Sequence, residues 1–397
     1  MNAKDFPRIP DSEFAARMAN LKKEMEKQSI DLLVVYGNML DPAHVRYLSD
    51  FSPLNESSAV VVPPEGDPIL CTGQACHAWA KYKSRIKNIR ILPEIGEVGG
   101  VEYEIKGLTT FSSLFEEIRS EYKIKRVGKV GTFIFPLVIY QQIKKIFPEA
   151  EVVEAEKILY NLRTTKSKNE ISCMRKAAEI LDEAFKEAVA GIQPGWTELD
   201  IQAEIEAGVL RGGAEDHALS WTPMIPSGRQ NTQLCMNRNS LRKVKKGEII
   251  DLQAGSLYEG YNAALCTPFV LGKIPEKIRK AVMVSYQVME SVAEKLRPGT
   301  TSQELNDAGR SILKKEGYLK YSPYGLVHSI GLLECELPWF PANGTLQVVE
   351  GMAVCIDVFF FGMEWGSFRL EDVFVVHKDG PEQLTKFNKT FIPRFYK

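Results

Sequence analysis

The N-terminal part of the chain alternates between two hydrophobic patterns. Apolar side chains recur at helical spacing over residues 12–28 and again over residues 110–122. Short apolar runs typical of buried strands cover residues 31–36, 58–62, 68–71 and 129–134. Helices that alternate with strands in this way predict an open α/β domain.

A long amphipathic stretch follows over residues 154–190 and is interrupted by polar residues near 164–169. Ser167 stands where an N-cap would begin the next helix. The polar interruption is typical of a surface hinge. We therefore predict an N-terminal domain over residues 1–158 and a C-terminal domain over residues 159–397.

The C-terminal part contains an internal repeat with a constant offset of 104 residues. The matching positions are PGWT at 194–197 and PGTT at 298–301, DI at 200–201 and EL at 304–305, and Gly213 and Gly317. Each copy has a Pro-Gly turn, a Thr-capped helix and a Gly stop. The repeat predicts a pseudo-symmetric domain with a pocket at the seam of its halves.

Composition narrows the class of protein. The 397 residues include 50 Lys and Arg against 51 Asp and Glu, a net charge of -1, which argues against nucleic acid and anionic membranes as partners. We see no apolar run near the ~20 residues of a membrane span and no signal-peptide core. Seven scattered cysteines without a CxxC pair predict a reduced, cytoplasmic protein.

Four acidic or imidazole side chains on predicted strands are the first candidates for chemistry. Asp251 and Asp357 each end an apolar run that follows a glycine. Burial of a carboxylate charge in such a strand is costly unless a cation or hydrogen-bond donors meet it. Arg369 and Glu371 share one strand face, and His328 lies between glycines. Carboxylates and a histidine from four strands would suit manganese, iron, cobalt or zinc.

Each of these residues also has a purely structural interpretation. Asp251 could cap a turn at a strand end, and His328 could be a hydrogen-bonded core histidine. Arg369 and Glu371 could form ordinary cross-strand ion pairs. Because the residues are far apart in the chain, no local spacing rule decides between these interpretations.

The order of these segments resembles the creatinase, prolidase and methionine aminopeptidase superfamily. The segments that carry the resemblance are VRYL at 45–48, LRTTKSKNEI at 162–171, PSG at 226–228, GEIID at 247–251, GY at 260–261, HSIG at 328–331, ELP at 336–338, GM at 351–352 and RLED at 369–372. The resemblance implies an α/β N-terminal domain of the creatinase type, followed by an α+β pseudo-symmetric catalytic domain called the pita-bread fold.

Metal-dependent members of the superfamily hold two ions with two Asp, one His and two Glu. The resemblance places Asp251, His328 and Glu371 at three of these positions, Asp357 at a Glu position and Ala264 at the second Asp position. Loss of that second Asp removes a bridge between two ions. The resemblance thus implies one divalent ion (Mn, Fe, Co or Zn) on Asp251, His328, Asp357 and Glu371, with metal-free action as the alternative.

Two histidines that are usual in peptidases of this superfamily are missing. None follows Gly228 within the next ten residues, and Cys335 precedes Glu336 where a His is usual. Cys266 stands where creatinase has a Glu. These departures imply a creatinase-like branch with its own substrate, since the missing histidines normally stabilise the oxyanion of peptide hydrolysis.

The resemblance favours a hydrolase that cleaves a C–N bond in a small amide, amidine or Xaa-Pro dipeptide. The expected catalytic residues are His328, Glu371, Asp357 and Glu336. Arg369 is the candidate clamp for a substrate carboxylate. Cys266 and Cys335 fall at pocket positions, where simple burial is the alternative to a chemical role.

Two other functions stay open at this point. One is a lyase of the dimethylsulfoniopropionate-lyase type on the same fold, and the other is a non-catalytic binding protein with a degenerate site. The resemblance also implies a homodimer in which residues 47–51 of one subunit border the site of the other.

Overall fold

The computed structural model describes residues 6–96, 108–219, 221–233 and 237–397. The chain divides into two compact units, residues 9–163 and residues 164–397 with residues 6–8. The predicted boundary after residue 158 falls inside a helix, Glu156–Thr164, and the units divide at its C-terminal end. Within the described ranges, every helix is too short or too polar to cross a membrane.

The N-terminal unit is built on a mixed sheet. In its described part the strands are β1 (Leu32–Asn38), β2 (Ser57–Val62), β3 (Ile69–Thr72), β4 (Asn88–Ile91), β5 (Arg126–Val130) and β6 (Glu151–Glu154). Their order across the sheet is β4-β3-β2-β1-β5-β6. The pairs β1–β5, β5–β6 and β3–β4 are parallel, and the other two are antiparallel. This arrangement agrees with the predicted α/β class.

The helices of this unit are α1 (Asp11–Lys27), α2 (Ala43–Ser49), α3 (His77–Lys83), α4 (Phe111–Glu121), α5 (Leu137–Ile146) and α6 (Glu156–Thr164). Periodicity predicted α1 and α4 closely. It missed β4 and β6, because both strands have only four residues and are mostly half-exposed. Residues 43–49 form a buried helix, and Asp50, which follows it as the C-cap, has a positive φ of 62°.

The C-terminal unit contains an antiparallel sheet. Its strands, within the described residues, are β7 (Ile249–Tyr258), β8 (Tyr261–Val270), β9 (Val327–Ser329), β10 (Glu336–Trp339), β11 (Ala353–Met363), β12 (Gly366–His377) and β13 (Gly380–Gln383). The order is β10-β9-β11-β12-β8-β7, and β13 pairs with β12. This order brings β9, β11, β12 and β8 side by side, so that residues distant in sequence meet on one sheet.

The helices of this unit are α7 (Lys168–Gly191), α8 (Glu198–Arg211), α9 (Gly228–Thr232), α10 (Glu276–Lys295), α11 (Ser302–Lys315) and α12 (Phe387–Phe395). Ser167 caps α7 in a capping box with Glu170, as predicted. Strand alternation then separates two environments on β11 and β12. Val354, Ile356 and Leu370 lie in the hydrophobic core, and the odd-numbered neighbours face the other way.

The internal repeat is confirmed as a structural duplication. Thr197 and Thr301 each cap a helix through a capping box, and each forms a β-bridge, to Lys243 and Gln347. The glycines Gly195 and Gly299, Gly213 and Gly317, and Gly247 and Gly351 all have positive φ. All these pairs keep the offset of 104 residues, and so do the first residues of β7 and β11.

Candidate active site

Arg369 lies at the centre of a buried group of charged side chains on β11 and β12. Its Nε and Nη2 atoms donate to the two Asp357 carboxylate oxygens at 3.2 and 2.5 Å. Nη2 also donates to Glu371 Oε2 at 3.3 Å. The rings of Trp221 and Phe359 lie 5.2 and 5.7 Å from the guanidinium carbon. The guanidinium is therefore a fixed cation held by two carboxylates and two aromatic rings.

Asp251 is fully buried beside this group, on β7. Its carboxylate accepts hydrogen bonds from the Arg369 backbone N–H at 3.1 and 3.2 Å and from Gln253 Nε2 at 2.7 Å. Burial raises the pKa of Asp251 to about 7, although the Arg369 hydrogen bonds and charge oppose the shift. In this structure Asp251 ties β12 to β7, and its oxygens are occupied by donors of the chain.

His328 and Glu371 form an ion pair between β9 and β12. His328 Nε2 lies 3.1 Å from Glu371 Oε1, and Nδ1 lies 3.2 Å from the Ser329 carbonyl. Burial alone would raise the pKa of Glu371, but Arg369 and His328 lower it to about 2. Burial would likewise lower the pKa of His328, yet Cys355, Cys335 and Glu371 raise it well above its usual value. These shifts favour the imidazolium form of His328 and the carboxylate form of Glu371.

Two further residues lie against His328, and the sequence did not suggest either of them. Glu334 Oε1 is 3.7 Å from His328 Nε2 and has no hydrogen-bond partner among the described residues. Burial raises the pKa of Glu334 to about 7. Cys355 on β11 is the direct strand neighbour of His328 and is fully buried. One ligand atom from each of His328, Glu334, Cys355 and Glu371 lies within 4.8 Å of the others.

The remaining predicted site residues have different surroundings. Glu336 pairs with Lys166 at 3.0 Å, and both side chains are buried. Cys266 is fully buried, and burial raises the pKa of its thiol well above the usual value, so that it stays protonated and donates to Glu371 Oε2 at 3.1 Å. Cys335 is exposed. Cys266 thus contacts the charged group, and Glu336 has a structural partner.

The residues of this site fit one metal ion better than two. Arg369 already neutralises Asp357 and contacts Glu371, and a guanidinium does not lose its proton in proteins. A metal ion placed between the same carboxylates would be repelled by this fixed charge. On the His328 side, the unpartnered Glu334 oxygen and the Cys355 sulfur are additional donor atoms.

Comparison with known proteins gives two family matches. Residues 172–378 match the model of metallopeptidase family M24, and residues 17–165 match the creatinase/prolidase N-terminal domain. A protein of Pyrococcus furiosus named Xaa-Pro dipeptidase is 26% identical over 377 residues, which cover 95% of this chain and 99% of that protein. The Xaa-Pro dipeptidase of Pyrococcus horikoshii is 26% identical over 93% of this chain and 96% of its own. The crystal structure of a prolidase from Pyrococcus horikoshii OT3 superposes with a TM-score of 0.79, 25% identity and coverage of 94% and 98%.

Proposed function

The chain belongs to metallopeptidase family M24 and carries a creatinase/prolidase N-terminal domain. We therefore propose that it hydrolyses a C–N bond in small molecules, with Xaa-Pro dipeptides as its substrates. The observation that carries the proposal is the position of the buried His328–Glu371 pair within the family match. The two full-length relatives named as Xaa-Pro dipeptidases support the choice of substrate.

His328 is the residue that we expect to act on the reacting atoms. Glu371 fixes the imidazole through Nε2, and the Ser329 carbonyl lies near Nδ1, so that the ring orientation is defined. Without a metal, a water molecule would attack the scissile carbonyl, and the His328–Glu371 pair would take up its proton and give a proton to the leaving amine as the C–N bond breaks. A divalent ion, as the family implies, would polarise the scissile carbonyl and lower the pKa of a bound water.

Asp357 and Arg369 have a positioning role in this proposal. Their bidentate pair fixes the guanidinium beside Glu371. The guanidinium keeps the Glu371 carboxylate ionised, and the ionised carboxylate orients the His328 ring. A substrate carboxylate that used Arg369 would share it with Asp357. Glu336 stays a predicted catalytic residue, although its pair with Lys166 supports a structural role instead.

Release of proline from a panel of Xaa-Pro dipeptides tests the proposal, with Xaa-Ala dipeptides as the matched control. We expect proline-specific release that is lost in His328→Ala. Creatine-like amidines and sulfonium compounds belong in the same panel, because they would reveal an amidinohydrolase or a lyase. The two Pyrococcus relatives give no support to the lyase or to a binding protein. Silence with every dipeptide would overturn the proposal.

A further inference from the structure

We propose that the C-terminal unit binds one divalent ion of the zinc or cobalt kind through His328, Glu334, Cys355 and Glu371. This ligand set shares His328 and Glu371 with the set expected from sequence and replaces Asp251 and Asp357 by Glu334 and Cys355. The inference goes beyond the proposed activity, since ion binding is measured without a substrate.

The spacing of the four donor atoms is close to that of a metal site. Ligands of a tetrahedral zinc ion stand about 3.3–3.8 Å apart, given metal–ligand bonds of about 2.0–2.3 Å. His328 Nε2 is 3.1 Å from Glu371 Oε1 and 3.7 Å from Glu334 Oε1, and one ligand atom from each of the four residues lies within 4.8 Å of the others. Small side-chain movements would therefore complete a tetrahedron.

Glu334 supplies the independent observation that a cation belongs here. The residue is only 8% exposed, and its Oε1 atom has no hydrogen-bond partner in the described parts of the chain. The His328 imidazole, 3.7 Å away, is too distant to donate a hydrogen bond to it, and a buried carboxylate oxygen that accepts none is costly. The Arg369 guanidinium donates to Asp357, Gln253 and Glu371 Oε2, and none of these hydrogen bonds goes to Glu334. An ion bound beside Glu334 would satisfy this oxygen.

The contacts of Asp251 and Asp357 disfavour them as ligands. Both oxygens of Asp357 accept from the Arg369 guanidinium, and both oxygens of Asp251 accept from the Arg369 backbone N–H. Ligation would break these bonds and bring the ion close to a permanent cation. Glu371 differs, because Oε2 takes the Arg369 and Cys266 donors while Oε1 faces His328.

The donor set also selects the kind of ion. A thiolate and an imidazole with two carboxylates suit zinc or cobalt, whereas manganese and magnesium prefer oxygen ligands alone. Binding would displace the proton of the Cys355 thiol and the proton held on His328 Nε2, and these protons would go to solvent. The ion would then take the place of the proton between His328 and Glu371.

Titration of the full-length, reduced and chelator-treated protein with cobalt tests this ligand set. We expect one equivalent to bind, with a thiolate-to-cobalt charge-transfer band, and zinc to displace it. Cys355→Ser removes the band, and Glu334→Gln weakens binding at least about 10-fold. Asp251→Asn, a buried carboxylate outside the set, leaves the band and the affinity unchanged.

The melting temperature of each metal-free variant shows first whether it is folded, and Cys355→Ala replaces Cys355→Ser if the serine variant is not. Three results would overturn the ligand set: no bound cobalt or zinc, a band that survives both Cys355 variants, or loss of binding in Asp251→Asn but not in Glu334→Gln. Ion binding without dipeptide hydrolysis would contradict only the proposed function.

Discussion

The two halves of the C-terminal unit share a scaffold but differ in the chemistry that they present. Their capped helices, positive-φ glycines and first central strands occur at matching positions that are 104 residues apart in the sequence. At that offset Gln253 corresponds to Asp357, and Asp251 corresponds to Cys355. The duplication thus fixed where side chains of each half can point into the site.

The cross-strand partners make the difference larger. Gln253 pairs with Cys266 between β7 and β8, whereas Asp357 pairs with Glu371 between β11 and β12. The second half therefore holds two acids where the first half holds two neutral groups. Arg369, also from the second half, offsets these acids. The first half contributes donors and one acid, Asp251, that positions the Arg369 backbone.

Removal of the Arg369 guanidinium, the cation of the second half, should have the largest effect on stability. Arg369→Met leaves Asp357 and Glu371 buried without their counter-charge, which we expect to cost about 3–5 kcal/mol of unfolding free energy. Denaturant unfolding measures the loss. The matched control is Arg175→Met, whose half-exposed pair with Glu382 should contribute at most about 1 kcal/mol. Equal losses for the two variants would show that Arg369 does not stabilise the acids.

Turnover tests whether the charged half also carries the reaction. His328→Ala should lower kcat for Xaa-Pro dipeptides by about 10²–10⁴-fold, the usual loss for a general acid or base. His377→Ala is the control, because His377 pairs with Glu382 near the surface. Proline release and the melting temperature are measured together. A variant that is folded and fully active would remove His328 from the site.

The first half's acid should show its role through pH. The folded-state pKa of Asp251 is about 7, above the 3.8 of an ordinary Asp, so protonation favours folding. Its contribution is fully present below pH ~4 and is lost as the pH rises to ~7. Between pH ~4 and ~7 the free energy of unfolding of Asp251→Asn should therefore rise relative to that of the wild type, by at most about 4 kcal/mol.

Unfolding free energies at a series of pH values provide the test, and the Arg175→Met protein should follow the wild-type slope. A wild-type-minus-variant difference that is constant from pH 4 to 8 would mean that Asp251 titrates alike in the folded and unfolded states. The buried Asp251 of β7 would then not distinguish the first half from the second through its pKa.

The scaffold was more predictable from sequence than the site. Pro-Gly turns and Thr caps act locally, so that the repeat and its helices could be located from residues such as Thr197 and Thr301 alone. Strand alternation also placed Arg369 and Glu371 on one face. Whether these two residues catalyse or only pair could not follow, because the partners come from other strands.

Three details depended on the three-dimensional path of the chain. Glu334 lies between β9 and β10, outside any periodic element, and no pattern shows where its side chain points. Cys355 counts as one more apolar residue of a buried strand. Glu336 pairs with Lys166, 170 positions away, which no local spacing could reveal.

The smallest predicted effect tests the shared scaffold itself. Thr197→Ala and Thr301→Ala each remove one side-chain cap, which usually costs about 1 kcal/mol. Because both threonines are in capping boxes, with N–H to Oγ distances of 3.1 and 3.3 Å, we expect losses within about 0.5 kcal/mol of each other. Denaturant unfolding measures both, and Thr→Ser at each position should restore most of the loss. A clear inequality would show that the halves diverged in their helix caps as well as in their acids, and the contrast between scaffold and site would fail.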